Sequence, residues 1–277
     1  MRDFPREYLE QRTKWLKRLL CVSVSVNILL FWAMIFLVVH SVNLQPLIQG
    51  TVELASPKNT ELDLSKYSAE DLEDPLTQYK IGWQYAYGNP RTRSYEKANE
   101  WFLKSANNGN LKAQYSLGYA YRKGNGVKKD NQQAMYWYKQ AAGEGYVKAQ
   151  YSVAHMHYYG IGMPKDYTKA FEWYGRAAEQ DYTRAHVAMG LMYRFGRGTG
   201  VSYSKALFHF ERAADSEYHQ AFYQLGLMHE KGQGVPLSLE LAYEFQMQAQ
   251  ALNYKYAKKA IKRIKRKARE QNIDLHS

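Results

Sequence analysis

Cysteine is nearly absent from this sequence of 277 residues, Cys21 being the single one. No intrachain disulfide can form, so packing alone must hold the fold, and thiols say nothing of the redox compartment. The constellations that carry chemistry are missing as well: no Cys/His cluster, nucleophile elbow, glycine-rich phosphate loop or carboxylate pair in a recognisable context occurs. His155 and His157 form an H-x-H pair, but on a helix that spacing sets the rings about 200 degrees apart, which argues against a shared metal. The residues therefore predict no catalytic centre, no metal and no cofactor, and leave an enzyme only a site that the sequence conceals.

Charge of one sign is missing locally rather than overall. The net charge is +12, yet residues 1–18 carry six Lys/Arg against three acids, residues 41–76 carry two against seven, and residues 255–269 carry nine against none. Between the first two blocks, Leu19 to Val39 contains no charge at all. As a helix this stretch would be about 31 Å long, roughly one bilayer core, which predicts a transmembrane helix over 19–39. No small-x-small cleavage site follows it, so an uncleaved anchor fits better than a signal peptide. Arg2, Arg6, Arg12, Lys14, Lys17 and Arg18 precede the span, while Lys58 alone appears in the twenty residues after it. The positive-inside rule then places residues 1–18 in the cytoplasm and everything after Val39 across the membrane. Ser23 and Asn27 share a face of the span, where a second membrane helix could hydrogen-bond to them; a tolerated polar pair is the plainer account.

What is abundant is regularity. Ala113, Ala149, Ala185, Ala221 and Ala257 recur every 36 residues, as do Ala98, Ala134, Ala170, Ala206 and Ala242, and the glycines Gly88, Gly124, Gly160, Gly196 and Gly232. Such self-similarity marks a solenoid, in which each unit buries its apolar face on its neighbours. In the second unit Ala113, Leu117, Gly118 and Tyr121 fall on one face of a first helix that ends at Gly124-Asn125-Gly126-Val127. Ala134, Trp137, Tyr138, Ala141 and Ala142 keep the spacing of a second helix. The predicted fold is all-α, with five helical hairpins at 77–112, 113–148, 149–184, 185–220 and 221–256. Small residues at Gly82, Gly118, Ala154, Gly190 and Gly226 let the paired helices approach, and Trp101, Trp137, Trp173 and Phe245 fill the space between layers, a ring that His209 replaces in the fourth unit.

The run A-Q-Y-S-L-G-Y-A-Y-R-K-G-N-G-V followed by A-M-Y-W-Y-K-Q-A-A resembles the Sel1-like repeat. That resemblance covers about two thirds of the chain, in five copies of one register. It implies a right-handed superhelix of antiparallel helix pairs, related to tetratricopeptide repeats, that recruits partner proteins or peptides. Some members pin their repeats with cysteine pairs, which this chain lacks.

The flanks read differently. Residues 40–76 are acidic, contain Pro46 and Pro57, and look like a stalk between membrane and repeats. Asp74-Pro75 has the form of a helix N-cap with proline at the first helical position. At the far end, in 257–277, Ala257, Ala260, Ile261, Ile264 and Ala268 form the apolar stripe of a capping helix. Its other face carries Lys258, Lys259, Lys262, Arg263, Lys265 and Arg266. That face suits a solubilising cap first, since terminal repeats need a polar outer side, and after it anionic lipid, an acidic partner or, least in keeping with the topology, nucleic acid.

By analogy with related arrays, positions two, six and nine after each leading alanine should face a partner-binding groove. They give Tyr79, Trp83 and Ala86; Tyr115, Tyr119 and Arg122; Tyr151, His155 and Tyr158; Val187, Leu191 and Arg194; and Tyr223, Leu227 and Glu230. Tyrosine, tryptophan and arginine dominate interface hot spots, although single rings here could equally pack between repeats. His157 and His229 fall where other repeats have Tyr85, Tyr121 and Tyr193, and so are expected as packed rings.

The expectation is a single-pass protein of a bacterial inner membrane, its periplasmic array holding a protein or peptide partner of the envelope rather than nucleic acid or a small-molecule substrate. An immunity protein that neutralises a toxic effector is a second reading. An envelope hydrolase or wall-synthesis modulator is a third, of another class.

Overall fold

A computed structural model describes residues 61–275. The chain divides into two units, Met1–Thr60 and Glu61–Ser277. The predicted membrane stretch with Cys21, Ser23 and Asn27, the segment before it and the stalk as far as Thr60 lie outside the described residues. Among the described residues no helix is long and apolar enough to cross a membrane.

These residues form twelve helices and no strand. A short α1 (Ala69–Glu73) leads into five hairpins: α2 (Pro75–Tyr87) with α3 (Tyr95–Asn107), α4 (Leu111–Lys123) with α5 (Asn131–Gly143), α6 (Val147–Tyr159) with α7 (Tyr167–Ala178), α8 (Thr183–Phe195) with α9 (Tyr203–Ala214), and α10 (His219–Lys231) with α11 (Leu239–Ala251). Helix α12 (Ala257–Glu270) closes the series. Extensive contacts run between each helix and the next in sequence, as a solenoid requires.

Local chemistry sets where each helix starts and stops. The second helices begin behind Ser94, Asp130, Asp166, Ser202 and Ser238, whose side chains each accept a backbone N–H of the first turn. Four first helices end at Gly124, Gly160, Gly196 and Gly232, all with positive φ, where a side chain would be strained. At the tips after the second helices the first two repeats place Gly109 and Gly145, whereas the later three hold Asp181, Glu217 and Asn253 at φ of 54, 52 and 61 degrees.

Both alanine series are buried at every repeat. The close approach expected at Gly118 is present: a Cβ there would stand 2.5 Å from the Tyr138 ring, and one on Gly190 would stand 2.5 Å from Phe210. Trp137 packs into the cluster built by Ile81, Tyr85 and Phe102, and Trp173 against that of the second repeat, so these indoles do lie between layers. His157 is buried and His229 stacks on Phe245 at 5.4 Å, as packed rings.

Both ends differ in detail from a bare array. Leu62, Leu64, Tyr67 and Leu72, from the part read as stalk, pack against the first repeat's core. There Ser68 and Asp71 form a capping box, and Gln78 Nε2 donates to the Leu72 carbonyl at 2.8 Å. The array is therefore sealed at its start by its own linker. Asp74 caps α2 as expected, accepting from Thr77 N at 2.7 Å. At the other end α12 buries Ala257, Ala260, Ile261, Ile264 and Ala268, the predicted stripe.

Candidate partner-binding groove

The first helices α4, α6 and α8 stand side by side, and between them lie two adjoining cavities. One, of about 290 Å³, is lined by Tyr115, Tyr119, Arg122, Lys148, Tyr151, His155, Tyr182 and Arg184, among others. The second, of about 180 Å³, adds Tyr158, Tyr159, Val187, Leu191 and Tyr218 and shares Tyr151, His155 and Arg184 with the first. Together they form a groove across the second to fourth repeats.

The tyrosines that open the last three first helices explain how the groove is built. Helices α6, α8 and α10 start behind Tyr146, Tyr182 and Tyr218, none of which supplies a side-chain cap. Forgoing that hydrogen bond costs about 1 kcal/mol. In exchange Tyr146 meets Tyr115 at 5.5 Å, and Tyr182 meets Tyr151 at 5.4 Å, edge to face. Tyr115 and Tyr151 also contact Tyr138 and Tyr174 beneath them, at 5.5 and 5.3 Å. The floor is thus a continuous raft of rings.

Burial raises the phenols of Tyr138, Tyr146, Tyr174 and Tyr182 and pushes Tyr151 up to about 12, which keeps these five neutral. His155 is held below its ordinary value by burial and by the Arg122 charge, so it too is neutral at physiological pH. The full charges on the groove are the cations Arg122, Lys148 and Arg184, and among the described residues no carboxylate lines either cavity. Arg122 lies over the Tyr119 ring at 5.5 Å and near the Tyr138 hydroxyl, and Arg184 lies near that of Tyr182, neighbours that leave the guanidinium charge uncancelled.

The residues predicted to face a groove divide three ways. Tyr115, Tyr119, Arg122, Tyr151, His155 and Tyr158 are brought together here. Tyr79 packs on Phe102 at 5.7 Å, and Trp83, about half exposed, lies 5.7 Å from Tyr87, both outside the two cavities. Tyr223 is enclosed by Tyr254 and Tyr256. Arg194 corrects the expectation: it is buried, its Nε 2.8 Å from Gln233 Oε1 and its Nη1 2.8 Å from Gln224 Oε1, and it ties the fourth repeat to the fifth. Glu230 is likewise buried. It accepts from Arg263 Nε and Lys267 Nζ, each at 2.8 Å. That removes Arg263 from the free basic face of the cap, where Lys258, Lys259, Lys262 and Arg266 remain exposed and Lys265 partly so.

Lys148 and Arg184 were missed by the choice of positions. They occupy the residue just before the leading alanine, a row that reads Lys112, Lys148, Arg184 and Gln220 at the same 36-residue period. The signal was in the repeat itself. On another face His186 Nδ1 and His209 Nδ1 lie 3.0 Å apart, His186 Nε2 is 3.4 Å from Asp181 Oδ1, and Arg212 Nη2 is 2.6 Å from the same oxygen. Among the described residues no group of three His, Cys, Asp or Glu could hold a metal ion.

A family model described as Sel1 repeat matches residues 75–110, 111–146, 147–182, 183–218 and 219–245. Each match starts at the first residue of a first helix, two ahead of the leading alanine. Among solved structures, a Sel1 repeat protein from Oxalobacter formigenes is 31% identical over 70% of this chain and 77% of its own, with a TM-score of 0.67. The protective antigen c5321 of uropathogenic Escherichia coli is 27% identical over 80% of this chain and 43% of its own, with a TM-score of 0.65. The immunity protein Pa5087 from Pseudomonas aeruginosa is more distant, at 20% identity and a TM-score of 0.43, over 70% of this chain and 69% of its own. No curated protein sequence matches the chain significantly. With five repeat matches in unbroken succession from residue 75 to 245, and a solved relative at 31% identity, the chain belongs to the Sel1 repeat family.

Proposed function

We propose that this protein is a membrane-tethered adaptor that docks a protein or peptide of the bacterial cell envelope along the groove on α4, α6 and α8. Sel1 repeat proteins generally mediate protein–protein interactions, and their solenoid is typically a non-catalytic scaffold. The observation that carries the reading is the pair of adjoining cavities floored by tyrosines, large rings with polar tips whose burial yields much area at little side-chain entropy. Tethering and a periplasmic array rest on the uncharged Leu19–Val39 stretch and on the basic residues before it.

A photo-crosslinking amino acid at Tyr119 or Tyr158 should capture one dominant protein in cells, while the same group at Tyr136, exposed on the second helix α5, should capture none. Equal capture from all three sites, or none from the groove in a folded protein, refutes it. A reporter enzyme active only outside the cytoplasm, fused after Ser277, tests the topology; a silent fusion removes the envelope from the reading.

A further inference from the structure

The groove's charge is one-sided. Of 64 ionisable Lys, Arg, Asp and Glu side chains in the sequence, 26 are acidic, yet Arg122, Lys148 and Arg184 line the two cavities with no carboxylate beside them. Nor do these three form an ion pair elsewhere among the described residues, unlike Lys97, Lys169, Arg212, Arg263 and Lys267. Their neighbours are rings instead: Arg122 lies over the Tyr119 ring at 5.5 Å and near the Tyr138 hydroxyl, and Arg184 lies near that of Tyr182. A neutral ring beside a guanidinium excludes some of its water but leaves its positive potential available. Just beyond the groove Arg197 repeats the pattern, donating to the Tyr158 hydroxyl. Three uncompensated cations on neighbouring helices, set among neutral rings, make a surface complementary to an anionic chain with apolar side chains between its charges.

We propose that the groove selects an acidic segment of its protein partner, with carboxylates on Arg122, Lys148 and Arg184 and intervening apolar groups on the Tyr115, Tyr151 and Tyr182 rings. This rests on the docking function proposed above and names the chemistry of the segment. Each carboxylate that reaches a guanidinium makes charge-assisted hydrogen bonds, and the ring floor lowers the local dielectric, so these contacts discriminate more strongly than exposed surface pairs. A neutral or basic segment leaves the cations desolvated and unpaired.

The test uses the full-length chain in neutral detergent and three fluorescein-labelled twelve-residue peptides, alternating leucine with glutamate, glutamine or lysine, followed by fluorescence anisotropy. The glutamate peptide should bind about tenfold or more tightly than the glutamine peptide, and should weaken as salt is raised, as charge pairing predicts. The exposed pair Lys148→Gln with Arg184→Gln should remove most of that difference. Lys258→Gln with Lys262→Gln, which deletes the same charge from the cap, should leave it unchanged. Equal binding of the glutamate and glutamine peptides, no binding of the glutamate peptide, or equal weakening by the cap variant overturns the proposal. Crosslinking from Tyr119 separates this from the underlying function. An adduct that survives undiminished in the Lys148→Gln, Arg184→Gln protein overturns the acidic segment and leaves docking in place, whereas no adduct in the unaltered protein removes both.

Discussion

Replacing His209 with phenylalanine should make the array more resistant to acid while changing its stability little at neutral pH. His209 takes the place of the ring that Trp101, Trp137, Trp173 and Phe245 supply in the other repeats, and it stacks on Tyr193 at 5.6 Å. Around it are His186 and Tyr193 of α8, Asp181, Arg212 of its own helix, and Glu179. With Asp181 Oδ1 beside His186 Nε2, a proton on that nitrogen leaves His186 Nδ1 free to accept from His209 Nδ1–H. Burial, and secondarily charge on His186, pushes the folded value of His209 down to about 4 from 6.5. Between those values the unfolded chain binds the proton that the native state refuses, so the stabilisation is complete above 6.5 and is lost as pH falls below it. At about pH 5 the full difference would be about 2 kcal/mol, and because part of the ring edge meets solvent the working figure is about 1–2 kcal/mol. The phenylalanine variant escapes that loss, giving up one neutral hydrogen bond of about 1 kcal/mol against better ring packing. Urea midpoints from tryptophan fluorescence, at about pH 7.5 and about pH 5, measure both proteins; taking the difference cancels His155, His157 and His229, which burial also lowers. An equal acid loss in the variant and the unaltered protein would refute the reasoning.

Cutting the ion pair by Glu230→Ala should cost about 2–3 kcal/mol, since the cations left behind, Arg263 and Lys267, are partly exposed, and should release α12, seen as fast hydrogen exchange confined to residues 257–270. Burial alone would raise the Glu230 value, but Arg263 and Lys267 lower it overall, so this link holds above the ordinary carboxylate range and weakens as pH falls through the folded value. Gly118→Val drives methyl groups into the Tyr138 ring and should destabilise by about 1–3 kcal/mol in thermal unfolding. Glu217→Gly relieves a φ of 52 degrees at a tip where the first two repeats already use glycine, and should raise the urea midpoint by the equivalent of about 1 kcal/mol. The same change at Asp181 should not, since it forfeits Arg212 and His186.

The hairpins were legible because their determinants are local and repeat. The alanines mark buried faces, the glycines mark left-handed stops, and Ser94, Asp130, Asp166, Ser202 and Ser238 start the second helices on the same period. Arg194 and Glu230 were not legible from their row. Position nine holds Arg122 at the groove, yet in later repeats the same position reaches Gln224 and Gln233, or Arg263 and Lys267, a full repeat further along the chain. What a charged side chain does there depends on the next unit's residue, which periodicity within one unit does not show. Lys148 and Arg184 escaped for a simpler reason, since the position before the alanine lies outside the turn positions taken as groove-facing.

Because extensive contacts join only successive helices, no strut connects the first repeat to the last, and the spacing of the cations on α6 and α8 is set by small hinge angles between layers. Those angles depend on what is wedged behind the groove, such as Trp173 against the second repeat and Tyr138 against Gly118. The recognition surface can therefore be retuned from the rear. A change of ring size on α5 or α7 alters the pitch of the charge ladder without touching the partner, so selectivity among docked segments can evolve in the scaffold's joints.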